Sequence, residues 1–168
     1  MPARAPLTPD LIDQSIARSM DRVFTTMLKA SIKLVERTAS LNPSVLGPGN
    51  QTIGCVGFVG DINGVLHLRF SDEFAAIATG LVLGMTPTEI RLEGPEVIKD
   101  TIGELTNMSV GCFKNTFCDS GYPCMLTLPT IIRGEQLAAP AIKGTTRHVY
   151  YFESAGHPVI ADLQMKQE

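Results

Sequence analysis

Apolar residues recur at three- and four-residue spacing through Leu11, Ile12, Ile16, Met20, Val23, Phe24, Met27 and Leu28, a period that predicts an amphipathic helix. Thr8-Pro9-Asp10 supplies its start: a capping hydroxyl, a proline in the first turn and an acid beside the free N–H groups. The pattern carries the helix past Leu34, before Asn42-Pro43 and Gly47-Pro48-Gly49 end regular structure. From Thr52 to Val59 the chain is β-prone. Asp61-Ile62-Asn63-Gly64 reads as a hairpin turn, and Val65 to Phe70 alternates with Leu66, Leu68 and Phe70 on one face. Ser71-Asp72-Glu73 caps a second helix that reaches Gly84, and Thr86-Pro87 reads as loop. Gly94-Pro95-Glu96 opens a third, long helix that continues to Phe117. Gly121-Tyr122-Pro123 then turns the chain into a strand through Leu126 and Leu128. Thr145 to Phe152 and Pro158 to Met165 form a closing antiparallel hairpin around Ser154-Ala155-Gly156.

This order predicts one α+β domain, an antiparallel β-sheet covered by long amphipathic helices. A helix-then-strands unit used twice explains it, in halves of about 8–85 and 94–166, although no residue-level repeat accompanies the arrangement.

Composition narrows the partners. At 168 residues the chain has ample material for a core, and its formal charge of -3 gives phosphate backbones no electrostatic reward, so no nucleic acid is expected. The first ten residues hold no apolar signal segment, and the longest apolar stretch, Phe74 to Met85, is too short to span a bilayer. A soluble, cytoplasmic protein without membrane contact is the expectation. Cys55, Cys112, Cys118 and Cys124 form no Cys-x-x-Cys pair and His67, His148 and His157 stand apart, which gives a zinc site little support. Free, mostly buried thiols fit a reducing compartment. Cys118 and Cys124 flank a turn and are the pair able to approach one another.

The chemistry sits on the third helix. At about 100° per residue, Asp100, Glu104, Asn107 and Gly111 fall within an arc of roughly 60°, while Ile98, Ile102, Leu105, Cys112 and Phe113 lie opposite. A solvated acidic face is the plain reading of Asp100 and Glu104. Two features argue for more. Gly103 and Gly111 each cost about 1 kcal/mol against alanine inside a helix, which suggests close approach of a crossing helix or a docked partner. Asn107 has neither a cap nor a turn to serve in mid-helix. As a general acid/base pair, Asp100 and Glu104 are poorly placed, because carboxylates sharing one solvent have no reason to split their pKa values. Gly54, Gly57 and Gly60 do not make a phosphate loop, since a hairpin and not a helix follows them. Strand glycines mark close approach or a bulge instead.

Asp100-x3-Glu104-x2-Asn107-x21-Pro129, set in Ile102-Gly-Glu-Leu-Thr-Asn-Met-Ser-Val-Gly111 and Leu128-Pro-Thr-Ile-Ile-Arg-Gly134, resembles the signature of the CheC/CheX/FliY phosphatases of bacterial chemotaxis. Element order resembles that family over nearly the whole chain. Among its branches CheX is the nearest, with a single active motif and a dimeric state. The N-terminal helix, where a second Glu-x-x-Asn would stand in the CheC type, offers Asp13-Gln-Ser-Ile16.

The resemblance implies a CheC-like fold and hydrolysis of the phosphoaspartate of a CheY-like receiver domain. It assigns Asn107 to positioning the attacking water and Glu104 to docking on the receiver's active-site lysine. Asp100, Gly103, Gly111 and Pro129 support the motif. It implies no cofactor on this chain, Mg2+ on the partner receiver, and a homodimer. The alternative is a non-catalytic CheX-like module that binds a receiver or a flagellar switch component. A small-molecule hydrolase using Asp100 and Glu104 is the third reading.

Overall fold

A computed structural model describes residues 3–135 and 137–167. Helix α1 (Pro9–Val23) starts where Thr8 Oγ1 accepts from the Leu11 N–H at 3.2 Å. It ends sooner than its apolar period suggests. A single π-helical turn, Phe24–Leu28, is closed by Lys29 in the left-handed region (φ 53°), and residues expected to be helical become strand β1 (Lys33–Thr38). After a 3-10 turn at Pro43–Leu46 come β2 (Asn50–Gly60) and β3 (Ile62–Ser71), then α2 (Asp72–Leu83), capped by Ser71 and stopped by Gly84 at φ 69°. The expected loop at Thr86-Pro87 is instead a helix, α3 (Pro87–Glu93), with a reciprocal Thr86–Glu89 capping box. Helix α4 spans Pro95–Asp119, and β4 (Cys124–Leu126), β5 (Thr130–Glu135), β6 (Thr146–Ser154) and β7 (His157–Gln167) follow.

The strands form one antiparallel sheet in the order β1-β6-β7-β3-β2-β4, with β5 also on β2. Leu66, Leu68 and Phe70, alternate residues of β3, face the helices and are fully buried with Phe24, Phe74, Phe113 and Phe117. The opposite face is closed in part by Leu46 over Val149, Tyr151 and Ile160. On that face Asp162, wholly buried, accepts two hydrogen bonds from Arg147, at 2.9 and 2.6 Å. Buried Arg69 donates to the Leu137 carbonyl there.

All four cysteines are free. Burial pushes the Cys124 thiol up to about 11, and the neighbouring Cys118 thiol adds to the shift.

Candidate functional site

Helix α4 lies close on the sheet because small residues face it: Gly103 lies against Ile131 of β5 and Thr106 against Gly54 of β2, and both are buried, as are Thr101 and Ser109. Thr106 and Ser109 donate their hydroxyls to the carbonyls one turn back, at 2.7 and 2.8 Å, so burying them leaves no orphaned polar atom. Gly54 of β2 accepts this closeness: a Cβ there would overlap the Thr106 side chain. The strand glycines act as expected. Gly57 abuts Thr127, and Gly60 abuts the Pro123 carbonyl.

With that side fixed, the opposite side of α4 turns outward. Asp100 and Glu104 are exposed; Asn107 and Gly111 are half-buried. Ile102, Leu105 and Phe113 are in the core, while Ile98 and Cys112 lie at its margin. No ion pair or hydrogen bond engages Asp100, Glu104 or the Asn107 carboxamide among the described residues. A free amide beside a free carboxylate, one turn apart, can hold a water and receive a cation from outside.

The glycines of this helix have a different explanation from the one their cost suggested. A Cβ on Gly103 would meet only the Ile131 side chain, 3.8 Å away, and one on Gly111 only Leu126 Cδ1, at 3.9 Å. These are ordinary contacts, so no backbone within this chain demands either glycine, and Gly103 is buried against β5 instead of sharing the polar face. The same contacts locate Pro129. Leu126 lies against Gly111 and Ile131 against Gly103, so Thr127–Pro129 joins two segments that both pack on α4. Here the edge strand expected to run through Leu128 is interrupted. Thr127 bonds both ways to Gly57, through its N–H and its Oγ1, and Leu128 is 88% exposed. Proline at 129 has no N–H to leave unpaired at that break.

A cleft of about 410 Å³ opens beside Asn107, between α4 and the end of α1. Met27, Met108 and Leu126 give it apolar walls, and Arg22, Thr26 and Asn115 give it polar ones. Periodicity alone could not have found it, because the π-helical turn at Phe24–Leu28 sets which residues of that stretch face α4.

The equivalent stretch of α1 is occupied. Asp13 Oδ1 accepts from the Tyr150 hydroxyl at 2.6 Å and pairs with Arg37 Nε at 2.8 Å. Burial, and then this contact with Asp13, push the Tyr150 phenol well above its usual range. Asp13 is a clamp between α1, β1 and β6, not a second motif. Among the described residues no group of three or more His, Cys, Asp or Glu is placed to hold a metal ion, and no helix is long and apolar enough to cross a membrane.

The family model described as chemotaxis phosphatase CheX matches residues 52–153, most of the chain, including all of α4 and Pro129. The chain belongs to the CheX family. No curated protein matches it. Among solved structures, a CheC-like superfamily protein from Shewanella sp. PV-4 superposes with a TM-score of 0.80 at 22% identity, over 95% of this chain and 99% of that one. The chemotaxis protein CheX of Vibrio vulnificus gives 0.78 at 20% identity, covering 92% and 99%. A CheX–CheY–BeF3–Mg2+ complex from Borrelia burgdorferi gives 0.74 at 18% identity, covering 93% and 98%. The α+β fold with its antiparallel sheet is that of these CheC-like and CheX structures.

Proposed function

We propose that this CheX-family chain accelerates hydrolysis of the phosphoaspartate of a CheY-like receiver domain, with Asn107 and Glu104 as its working residues. The observation that carries the reading is the Asn107 carboxamide, left without a protein partner on the outward face of α4, one turn from an equally free Glu104. Membership of the CheX family and the existence of a related CheX–CheY complex support the choice of partner.

In this reading Asn107 enters the receiver's active site and holds a water in line with phosphorus. The amide N–H groups donate to one lone pair of the water, or its carbonyl accepts a hydrogen bond from the water O–H, fixing the approach angle. The water oxygen bonds to phosphorus as the bond to the aspartyl oxygen breaks. The electron pair stays with the aspartate, which returns to a carboxylate, and inorganic phosphate leaves. Positioning of this kind is where catalysis of phosphoryl transfer has most to gain. Glu104 pairs with the receiver's lysine and sets the register in which Asn107 enters. Mg2+ would sit on the receiver and stabilise charge there.

The neighbouring cleft gives the docked receiver a surface to bury, with Met27 and Met108 able to repack against it. Asp100, exposed one turn before Glu104, contacts the partner's rim or orients the motif. Pro129 shapes the strand break alongside. A homodimer would form by pairing of β1, the outermost strand on one side of the sheet, with its copy. The exposed Leu34 and Val35 on that edge support this.

The test is the decay of a phosphorylated receiver from the same organism with and without this protein. Accelerated release of phosphate is expected. Tight binding to the activated receiver without acceleration would instead make the chain a non-catalytic docking module.

A further inference from the structure

A second cleft, of about 270 Å³, lies at the opposite end of α4 from the Asn107 cleft, where α2, α3, α4 and β5 meet over β2. We infer that it binds a small phosphorylated anion, through the Thr52 hydroxyl, Arg91, Lys99, Arg133 and the uncapped first turn of α4. This site is separate from the proposed phosphatase face and does not depend on that reading.

Thr52 carries the inference. It lines the cleft from β2, is only 1% exposed, and its Oγ1 has no hydrogen-bond partner. A buried hydroxyl left unpaired costs on the order of 1–3 kcal/mol, and a ligand seated against Thr52 that accepts from it removes that cost. Valine would fill the same space without that cost.

The other donors point the same way. Helix α4, 25 residues long, begins at Gly94 without any side-chain cap, and Gly94 itself lines the cleft. The positive end of the helix macrodipole and its free N–H groups favour an anion there. Three cations line the space. Arg91 makes no ion pair among the described residues. Arg133 spends Nε and Nη2 on Asp72, at 2.9 and 2.7 Å, which leaves its Nη1 amino group for a ligand. Lys99 makes only a loose exposed pair with Glu96, at 3.4 Å, which an anion can displace.

The one carboxylate lining the cleft, Asp72, is already neutralised by Arg133, so the site keeps a positive balance. A multiply charged oxyanion with several acceptors answers three cations and a hydroxyl better than a single carboxylate does. The volume exceeds that of phosphate alone, which leaves room for a small organic group.

Titration of the full chain with inorganic phosphate and with glycerol phosphate, followed by calorimetry and by backbone amide shifts, tests this. Saturable binding with shifts confined to Glu96, Val97 and the Thr52 strand is expected. Tighter binding of the ester identifies a phosphomonoester, and equal binding identifies phosphate itself. Thr52→Val removes one hydroxyl at constant shape, so it should fold with unchanged or higher Tm and bind roughly tenfold more weakly. Arg91→Gln should weaken binding at least as much. Absence of saturable binding by either probe overturns the inference, as does binding that both variants leave intact.

Discussion

Gly54 and Thr106 meet across the sheet–helix interface with no room for a side chain between them: a Cβ on Gly54 would overlap Thr106 Oγ1 and lie 2.8 Å from Thr106 Cβ. That contact fixes how closely α4 approaches β2. Thr106 lies between Glu104 and Asn107 in sequence but on the other side of the helix, so the same contact fixes the direction in which the pair projects.

Gly54→Ala therefore tests the seating of the helix. Overpacking of this kind costs roughly 1–3 kcal/mol, read as a loss of Tm in thermal unfolding. Thr106→Ala in the same chain removes the hydroxyl and methyl but leaves the 2.8 Å approach to Cβ, so it should restore only part of the loss. An unchanged Tm in the single variant would mean that α4 is not held by this contact.

Acid should destabilise the fold before the carboxylates titrate. Burial lowers the His67 pKa first of all; Arg69 and Arg147 lower it further, and Asp162 opposes them. Burial and Arg37 lower that of His148, against Asp13, and Arg37 Nη2 donates to neutral His148 Nδ1 at 3.1 Å. With folded pKa values below the unfolded value of about 6.5, the unfolded chain binds more protons in this window. The histidines' contribution is complete above that value and is lost as pH falls from it through their lowered folded pKa values. Tm should drop between pH 7.5 and 5.5, and His148→Gln should flatten the slope. A flat profile in the parent protein would contradict the assignment.

Sheet pairing through β1 predicts a dimer that a single edge charge disrupts. Val35 is 62% exposed on this edge. Val35→Lys should shift sedimentation toward the monomer while leaving the circular dichroism spectrum unchanged, since lysine on an outer strand is well tolerated. A monomeric parent protein, or a dimer indifferent to this substitution, would rule the edge out.

Local signals were legible in the sequence wherever chemistry and structure coincide within a few residues. Thr8-Pro9, Ser71 and Gly156 behave as their residue types dictate, the last with φ of 76°, whereas Ala155 beside it takes φ of 50° against its residue type. The polar face of α4 was legible because helical period alone separates Asn107 from Leu105. Strand β1 was hidden, because Ile32, Leu34 and Val35 continue the apolar spacing of α1 and no glycine announces the stop at Lys29. Helix α3 was missed although Thr86-x-x-Glu89 is a capping-box signature. The two clefts depend on side chains brought from four or more segments. Thr52 in particular reads as an ordinary strand residue until its neighbours are in place.

The central claim, that Asn107 acts on the water and Glu104 on docking, is tested most directly by single-turnover phosphate release from a phosphorylated receiver, alongside binding to the same receiver. Asn107→Ala should lose nearly all acceleration and bind as the parent does, whereas Glu104→Lys should lose binding first. Acceleration that survives Asn107→Ala would contradict the account.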